Sequence, residues 1–238
     1  MIKELEKDDT ILYVIPSKDT ICQTIYLTKS KSAWLTITWL SDELINYTQN
    51  KYQSLFNLHP VERGKVVMHD EEVQSLRWHK SYLNTPLRNE NHAKKSYMYS
   101  GKNIADNDIS LPNLFQPYLD FINKNERNDK YNQVIVNWYL NGQDYIAAHS
   151  DCQLGMKPDA EISIITLCEK VEHFRELLFT PKKINGLEND AIYNHVKIAT
   201  IHGSNITMHG DTQNKFRHKV PKALDIDTSR ISITCRKF

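Results

Sequence analysis

The fold of this 238-residue chain is decided by residues 131–151, which read YNQVIVNWYLNGQDYIAAHSD. Val134 to Leu140 form a run of β-branched and aromatic residues, which predicts a strand. Asn141-Gly142 is typical of a tight turn, and a second run then leads into His149. The segment therefore predicts two neighbouring strands, and His149-Ser150-Asp151 lies at the end of the second.

The His149-Ser150-Asp151 triplet has the spacing of a metal site. Side chains at i and i+2 of an extended strand point to the same face, so His149 and Asp151 can reach one ion. Two imidazoles and one carboxylate on one face of an octahedral iron leave three positions open for a co-substrate and dioxygen. Taken alone, the triplet is a weak signal and is more typical of two polar residues on an exposed strand face. A third ligand must come from elsewhere in the chain.

Two later segments extend the pattern. Residues 212–222 read TQNKFRHKVPK, and residues 229–236 read SRISITCR. Arg230 and Arg236 share parity, so on one strand both face the same side. A planar guanidinium binds a carboxylate through two parallel hydrogen bonds, which a lysine cannot make.

The complete pattern resembles the AlkB family of Fe(II)- and 2-oxoglutarate-dependent dioxygenases, in particular its eukaryotic-type nucleic-acid demethylase branch. That family shows Asn-x-Tyr, then His-x-Asp, then a distant His and two arginines separated by five residues. Asn137 and Tyr139 occupy the first of these positions, and His218-Lys219-Val220-Pro221-Lys222 matches the segment around the distant His. The resemblance runs from Tyr131 to Arg236.

The resemblance implies an α+β fold, a double-stranded β-helix (jelly roll) core with flanking helices and an N-terminal lid or extension. Short strands that follow helices favour the same architecture. Ser41, Asp42 and Glu43 predict the start of a helix that ends near Leu58. The other predicted elements are a helix at Leu114 to Asn125 and strands at Ile162 to Leu167, Leu177 to Thr180, Val196 to Ile201, Asn205 to Met208 and Arg230 to Arg236.

Two regions are expected along the chain. Residues 1–62 form an N-terminal extension of strands plus a helix, packed on the core. Its strands or hairpin lie in Ile11 to Ile15 and Ala33 to Trp39. Residues 63–238 form the AlkB-like dioxygenase domain, with a substrate lid at 63–102 and a jelly-roll core at 131–238.

By this resemblance, His149, Asp151 and His218 are the catalytic iron ligands. His202 and His209 are rival third ligands, and His218 is preferred because it lies in the family-like segment ahead of Arg230. The implied cofactors are Fe(II), 2-oxoglutarate as co-substrate, and O2. Arg230 holds the distal carboxylate of 2-oxoglutarate and Arg236 lies near its metal-bound end, while Asn137, Tyr139 and Thr234 complete the cofactor site.

The substrate site is also drawn from the resemblance. A base methylated on its pairing edge reaches iron only when it is unstacked, and a flipped base needs an aromatic partner. Tyr99 is expected to stack opposite His149, and either Trp78 or Arg88 is a candidate to support the vacated stack. Tyr97 and Tyr99 are equally typical of a strand core. The complete predicted set is Arg88, Tyr97, Tyr99, Ser100, Cys152 and Gln153.

Gln153 departs from the family pattern, since nucleic-acid members often carry an acid two residues after the metal Asp, where it contacts the methylated base. A second departure is Leu167-Cys168-Glu169-Lys170 in place of the family's Gly-x-x-Arg. Both changes leave iron and 2-oxoglutarate binding intact and place the substrate in question. An amide side chain still suits a neutral base.

Charge distribution favours a nucleic-acid partner more than the net charge of +1 does. Residues 63–102 carry eight Lys or Arg against four acids, and residues 212–224 carry four basic residues and no acid. Such stretches suit contacts to phosphates, although solvated surface is the alternative reading.

The N-terminal sequence is charged throughout and predicts no secretory signal, and no apolar run is long enough to cross a membrane. Four cysteines without a CxxC pair predict a reducing compartment, either cytoplasmic or nuclear. No obligate protein partner is expected.

The resulting functional expectation is oxidative demethylation of N-alkylated bases in DNA or RNA, a reaction of alkylation damage repair that releases formaldehyde, succinate and CO2. One alternative is the same chemistry on a protein side chain or another non-repair substrate. An alternative of another class is a catalytically silent jelly-roll module that binds nucleic acid.

Overall fold

A computed structural model describes residues 11–68, 71–83, 98–99, 102–103, 110–124, 130–153 and 155–238. Most of these residues belong to two β-sheets, whose strands are numbered in chain order. Five strands form the first sheet: Ile11–Val14 (β1), Ile146–His149 (β10), Arg175–Pro181 (β12), His195–Thr200 (β13) and Phe216–Val220 (β15). Their spatial order is β1-β13-β12-β15-β10.

The second sheet has seven strands: Gln23–Tyr26 (β2), Ala33–Trp39 (β3), Trp78–Leu83 (β6), Gln133–Tyr139 (β9), Ile162–Cys168 (β11), Ser204–Gly210 (β14) and Arg230–Arg236 (β16). Their order is β2-β3-β14-β11-β16-β9-β6. Two short hairpins lie outside both sheets, one of Lys65–Met68 (β4) and Glu71–Gln74 (β5), the other of Met98–Tyr99 (β7) and Lys102–Asn103 (β8).

The two sheets pack face to face around a shared apolar core. Leu35, Ile37 and Ile164 of the seven-stranded sheet belong to the same buried cluster as Phe179 and Ile198 of the five-stranded sheet. Two apposed sheets with helices on one outer side are the predicted jelly roll, and that prediction is confirmed.

Strands β9 and β16 are buried on both faces, and their two faces differ in chemistry. Val136 and Ile233 pack outward into a second apolar cluster. Asn137 and Thr234 point inward and line a cavity between the sheets. Because side chains alternate along a strand, this polar and apolar alternation places polar groups inside the jelly roll without exposing its core.

Two helices cover the outer side of β9 and β16. The first is Asp42–Phe56 (α1), which begins after Ser41; the Ser41 side chain accepts a hydrogen bond from the Leu44 backbone N–H. The second is Gln116–Asn123 (α2), close to its predicted bounds. The indole N–H of Trp138 donates to Leu55 O (3.0 Å), which fixes α1 on β9. Two single-turn helices are Leu187–Asp190 (α3) and Thr212–Lys215 (α4).

The turn after β9 requires its glycine. A Cβ at Gly142 would lie 1.6 Å from Ala223 O. The backbone of Gly142 donates to Ile226 O (2.7 Å) and accepts from the Ala223 N–H (2.9 Å), so turn and loop are joined at close range. The predicted Asn141-Gly142 turn is therefore a docking point as well as a chain reversal.

The N-terminal strands are members of the two sheets. Strand β1 pairs in parallel with β13 at the edge of the five-stranded sheet, and β2 and β3 form a hairpin on β14 in the other sheet. The boundary at residue 62 stays a prediction. No helix in the described ranges has both the length and the apolar character needed to cross a membrane.

Candidate functional site

Three predicted metal ligands meet at one end of the cavity between the sheets. One ligand atom from each of His149, Asp151 and His218 lies within 4.8 Å of the others. His149 Nε2 is 3.9 Å from Asp151 Oδ1, and His218 Nε2 is 3.8 Å from Asp151 Oδ2. Among the described residues this is the one group of three such side chains close enough to share an ion.

Strand register brings the two histidines together. His149 lies directly opposite His218 in the β10–β15 ladder, and the ring centroids are 4.3 Å apart. His149 Nδ1 lies 2.9 Å from Ala147 O. Because a carbonyl oxygen only accepts, Nδ1 carries the proton, and the lone pair of Nε2 points to the cluster.

Asp151 lies beyond the strand, since β10 ends at His149. The prediction that one unbroken strand supplies both ligands is therefore wrong in detail. Side chains replace the missing ladder: the Asp151 backbone N–H donates to Gln213 Oε1 (2.8 Å), and the Ser150 hydroxyl donates to Phe216 O (2.8 Å). Gln213 is buried, so this hydrogen bond positions the backbone of the aspartate away from competing water.

The charge states of the cluster suit metal binding. Burial alone would raise the pKa of Asp151, but the Arg236 guanidinium, which donates to its carboxylate, and the two histidines hold that pKa below its ordinary value. Burial and the neighbouring His149 lower the pKa of His218 to about 3. An ionised carboxylate and neutral imidazoles are the forms that coordinate a metal.

The cavity extends from this cluster along the inner faces of β9 and β16. Its empty space, including the open mouth, is about 480 Å³. Both sheets contribute to its apolar lining, which consists of Ile135, Ile146, Ile164, Leu177 and Val220. All five predicted cofactor-site residues line it as well: Asn137, Tyr139, Arg230, Thr234 and Arg236. Polar groups that converge beside apolar side chains in one cleft are typical of a small-molecule site.

Arg230 lies in this cavity with hydrogen-bonding capacity to spare. Its Nη2 donates to Thr166 Oγ1 (3.1 Å), and its guanidinium stacks over the Tyr139 ring at 5.1 Å. Its Nε and Nη1 have no hydrogen-bond partner among the described residues, although the side chain is 3% exposed. Since buried donors are nearly always satisfied, a ligand carboxylate is the group that fits them.

The donor sets at the two ends of the cavity fit the two implied cofactors. Two imidazole nitrogens and a carboxylate oxygen are the ligand set of non-heme ferrous oxygenases. A dicarboxylate that reached from that cluster toward Arg230 would satisfy the buried donors. The assignment of each residue to a ligand contact stays a prediction.

The rival histidines lie elsewhere. His202 is buried with its Nδ1 against the backbone of Cys168. His209 stacks on Trp34 at 5.3 Å, and its Nδ1 lies 3.6 Å from Glu161. Neither histidine belongs to the group of possible ligands around Asp151.

The predicted substrate residues are only partly described. Arg88, Tyr97 and Ser100 lie outside the described residues, and Tyr99 is described only as a backbone position in β7. Cys152 and Gln153 are exposed beside Asp151 and do not line the cavity. Their contacts to a substrate stay predictions.

Trp78 has other neighbours. Its ring stacks on His59 with centroids 4.1 Å apart, and the Arg63 guanidinium lies 4.5 Å from its ring centre. This ring is therefore already packed and does not suit the predicted role of supporting a vacated base stack.

Two polar lining residues, Arg77 and Ser232, were missed from the sequence. Ser232 has the parity of Arg230 and Thr234, so alternation along β16 was a sufficient signal. Arg77 precedes β6 and donates from Nε to Asn137 Oδ1 (2.8 Å). Arg77 lies in the cavity because β6 pairs with β9, and no local sequence pattern predicts that pairing.

Comparisons with known proteins agree with this geometry. The sequence model of the 2OG-Fe(II) oxygenase superfamily matches residues 22–236. Two curated relatives are the DNA oxidative demethylase ALKBH2 of Arabidopsis thaliana, 27% identical over 134 residues, and that of Mus musculus, 26% identical over 110 residues. The matches cover 50% and 45% of this chain but 41% and 44% of the relatives. The predicted relationship to the AlkB family is confirmed.

Solved structures with similar folds include a 2OG-Fe(II) oxygenase family oxidoreductase from Burkholderia pseudomallei, with 13% identity and a TM-score of 0.46 over 84% of each chain. Another is OsALKBH1, with 14% identity and a TM-score of 0.46, covering 86% of this chain and 96% of that one.

Proposed function

The chain belongs to the 2OG-Fe(II) oxygenase superfamily, a class of oxidoreductases that use Fe(II), 2-oxoglutarate and O2, and we propose that it oxidatively demethylates N-alkylated nucleobases in DNA or RNA. One observation carries the proposal. The His149, Asp151 and His218 cluster and the unpaired donors of Arg230 lie in one cavity, so a metal and a dicarboxylate would meet there.

Each residue has a role in the proposal. His149, Asp151 and His218 hold the ferrous ion. Arg230 binds the distal carboxylate of 2-oxoglutarate through two parallel hydrogen bonds. Asn137, Tyr139, Thr234 and Arg236 line the space between the two ends, and Gln213 positions the backbone of Asp151.

The reaction balances in atoms and electrons. When bound, iron and 2-oxoglutarate supply the activation of dioxygen, which takes two electrons from decarboxylation to succinate and two from a methyl C–H bond. One oxygen atom enters succinate and the other enters the methyl group as a hydroxyl. The C–N bond then breaks as the hydroxyl proton passes to the base nitrogen, which releases formaldehyde and the unmodified base.

Two observations support a nucleic-acid substrate. Both curated relatives are named DNA oxidative demethylases. Beside the cluster, Arg217 is exposed on β15 next to His218, and burial together with the charge of Arg217 lowers the pKa of Lys182, so the two cations are near neighbours. A phosphate that contacted the exposed face of β15 would find both.

We also propose a role in alkylation damage repair in a reducing, intracellular compartment. The support for the compartment is that all four cysteines are free thiols.

The test is demethylation of synthetic oligonucleotides that each carry one N-methylated base. Protein loaded anaerobically with Fe(II) is given 2-oxoglutarate and oxygen, and both succinate and the unmodified base are measured. We expect both products in equal amounts, and neither with Asp151→Ala. Succinate without any unmodified base would redirect the search to a protein or other substrate. No succinate under any condition would leave a binding module and refute the proposal.

A further inference from the structure

The outer face of the five-stranded sheet carries a group of basic side chains. Alternate residues of its strands, including Phe179, Val196 and Val220, belong to the apolar core. Because side chains alternate along a strand, their immediate neighbours in the same strands face outward. The basic residues at these outward positions are Arg217 and Lys219 on β15 and His195 and Lys197 on β13. We call these four residues, together with Lys182 directly after β12, the basic face.

Strand register makes the basic face continuous. One position of β12 pairs with Lys197 on one side and with Lys219 on the other. In the next row, Thr180 pairs with Arg217, and its hydroxyl oxygen lies 3.2 Å from His195 Nδ1. Neighbouring strands are about 4.8 Å apart, so the Cα atoms of Lys197 and Lys219 are about 10 Å apart. The cations therefore lie in two adjacent rows across three strands.

Acidic side chains do not neutralise the basic face. Among the described residues, no salt bridge involves Lys182, Lys197, Arg217 or Lys219. Burial and the charge of Arg217 lower the pKa of Lys182, so these two cations are near neighbours of like charge. An anionic partner would relieve this repulsion.

The described strands of this sheet place one acid at an outward position. Glu176 pairs with Ala199 in the row beyond Lys197, on the side away from Arg217. Its charge, together with burial as the larger cause, raises the pKa of Tyr13, so Glu176 lies toward β1. The end of the face near β15 therefore keeps its positive charge.

Strand β15 joins the basic face to the proposed iron site. His218 points into the cavity, whereas Arg217 and Lys219 on either side of it point outward. Only β10 lies between β15 and the edge of this sheet. The His149 side chain on β10 is 34% exposed and that of His218 is 6% exposed, so the cluster is more accessible from this edge. A polymer that continued around the edge would reach the basic face.

We propose that the basic face binds the phosphate backbone of the nucleic-acid strand that carries the reacting base, at nucleotides outside the cavity. The proposal rests on the proposed demethylase function and names a second contact surface for the same substrate. A backbone repeats one negative charge per nucleotide, which suits cations arranged in rows. Contacts to phosphates add affinity without reading sequence, so this surface acts equally on all flanking bases.

The test measures binding apart from turnover. Protein loaded anaerobically with Fe(II), without 2-oxoglutarate, is titrated with an unmodified, fluorescent single strand of about 15 nucleotides at several salt concentrations. Replacing both Arg217 and Lys219 with glutamine removes two cations from the basic face. Each lost contact should lower the slope of log K against log salt by about 0.7, so we expect a decrease of about 1.4 and an affinity about tenfold weaker near physiological salt. Arg217→Lys keeps the charge and should keep the slope.

Lys51 and Lys124 provide a matched control. Both side chains are exposed, one on α1 and the other directly after α2, and these helices cover the other sheet. Replacing both with glutamine makes the same change in net charge. This double variant should bind the oligonucleotide with the slope and affinity of the wild type. Thermal unfolding of both double variants identifies any loss of folded protein.

The outcomes separate this surface from the proposed reaction. A slope that changes equally in the two double variants, or in neither, overturns the inference. It is also overturned if the wild type does not bind the oligonucleotide, or if it binds anionic lipid vesicles more tightly at the same salt concentration. Demethylation of a trinucleotide with one N-methylated base, whose few phosphates gain little from the basic face, tests the reaction by itself. Failure of that reaction with oligonucleotide binding intact would refute the demethylase function and leave a surface that binds nucleic acid.

Discussion

Replacing Arg230 removes the proposed anchor for the distal carboxylate of 2-oxoglutarate. The guanidinium is buried, and its Nε and Nη1 have no partner among the described residues. Two hydrogen bonds to a carboxylate, each worth about 1.5 to 3 kcal/mol, are at stake. We therefore expect Arg230→Met to raise the KM for 2-oxoglutarate by on the order of a hundredfold or more. Arg230→Lys keeps the charge but loses the paired hydrogen-bond geometry. Its KM for 2-oxoglutarate should therefore fall between those of the wild type and Arg230→Met.

The assay separates loss of this contact from damage to the fold. Initial rates of oxo-acid turnover are measured with 2-oxoglutarate and with 2-oxopentanoate, which has the same carbon chain without the distal carboxylate. The wild type should discriminate strongly between the two, and Arg230→Met should discriminate little, because only one of the two acids uses the lost contact. The ratio of the two rates is insensitive to the fraction of folded enzyme.

Arg175 provides a matched control. It is also a buried arginine near Tyr139, at 5.9 Å from the ring, but it donates to Asn141 O (3.2 Å) and Asp144 O (2.8 Å) and does not line the cavity. Arg175→Met should destabilise the fold and leave the discrimination between the two acids intact. If Arg230→Met retains wild-type discrimination, or if Arg175→Met abolishes it, the assignment of Arg230 is wrong.

Three further predictions follow from contacts around the site. Gln213→Leu removes the acceptor for the aspartate's backbone N–H and should weaken iron affinity about tenfold or more, measured by anaerobic titration, whereas Gln213→Glu keeps an acceptor and should bind more tightly than Gln213→Leu. Gly142→Ala forces a Cβ into a backbone oxygen and should reduce the unfolding free energy by about 2 kcal/mol or more in urea titrations; a loss below half of that would show that the loop yields. His209, whose Nδ1 lies 3.6 Å from Glu161, acts with Lys237 against partial burial and lowers the pKa of Glu161 to about 2. These contacts therefore stabilise the fold above the unfolded pKa, and their contribution is lost as pH falls from about 4.5 to 2. Across that range the wild type should lose stability more steeply than Glu161→Gln, and parallel curves would refute the argument.

The parts of the fold that sequence predicted were those with a local signature. Strand β16 was predicted with its observed bounds because Arg230 to Arg236 alternates polar and apolar residues without a break. Helix α1 followed from its cap at Ser41 and its first-turn acids. The metal cluster was predicted because a family pattern adds the distant His218 to the His149 and Asp151 spacing. In each case the information lay in neighbouring residues or in a known order of motifs.

What the sequence did not predict depends on partners that lie far apart in the chain. Strand β1 pairs with β13 about 180 residues later in the chain. Nothing in the sequence of Ile11–Val14 predicts that pairing. Asp151 lies beyond its strand, where Gln213 from the β14–β15 connection and the Phe216 carbonyl at the start of β15 replace the ladder contacts. Such contacts depend on which strands pair, and strand pairing is determined by the sheet as a whole.

Arg77 joins these two kinds of information. By sequence it is one of eight basic residues in a stretch predicted to meet phosphates. By structure it is buried, donates to Asn137 and lines the same cavity as the proposed iron ligands. Replacing a surface cation that contacts a phosphate would reduce the salt dependence of nucleic-acid binding. Because Arg77 is buried, we expect Arg77→Gln to leave the salt dependence of oligonucleotide binding unchanged, and a clear reduction would return this residue to the surface role that the sequence suggested.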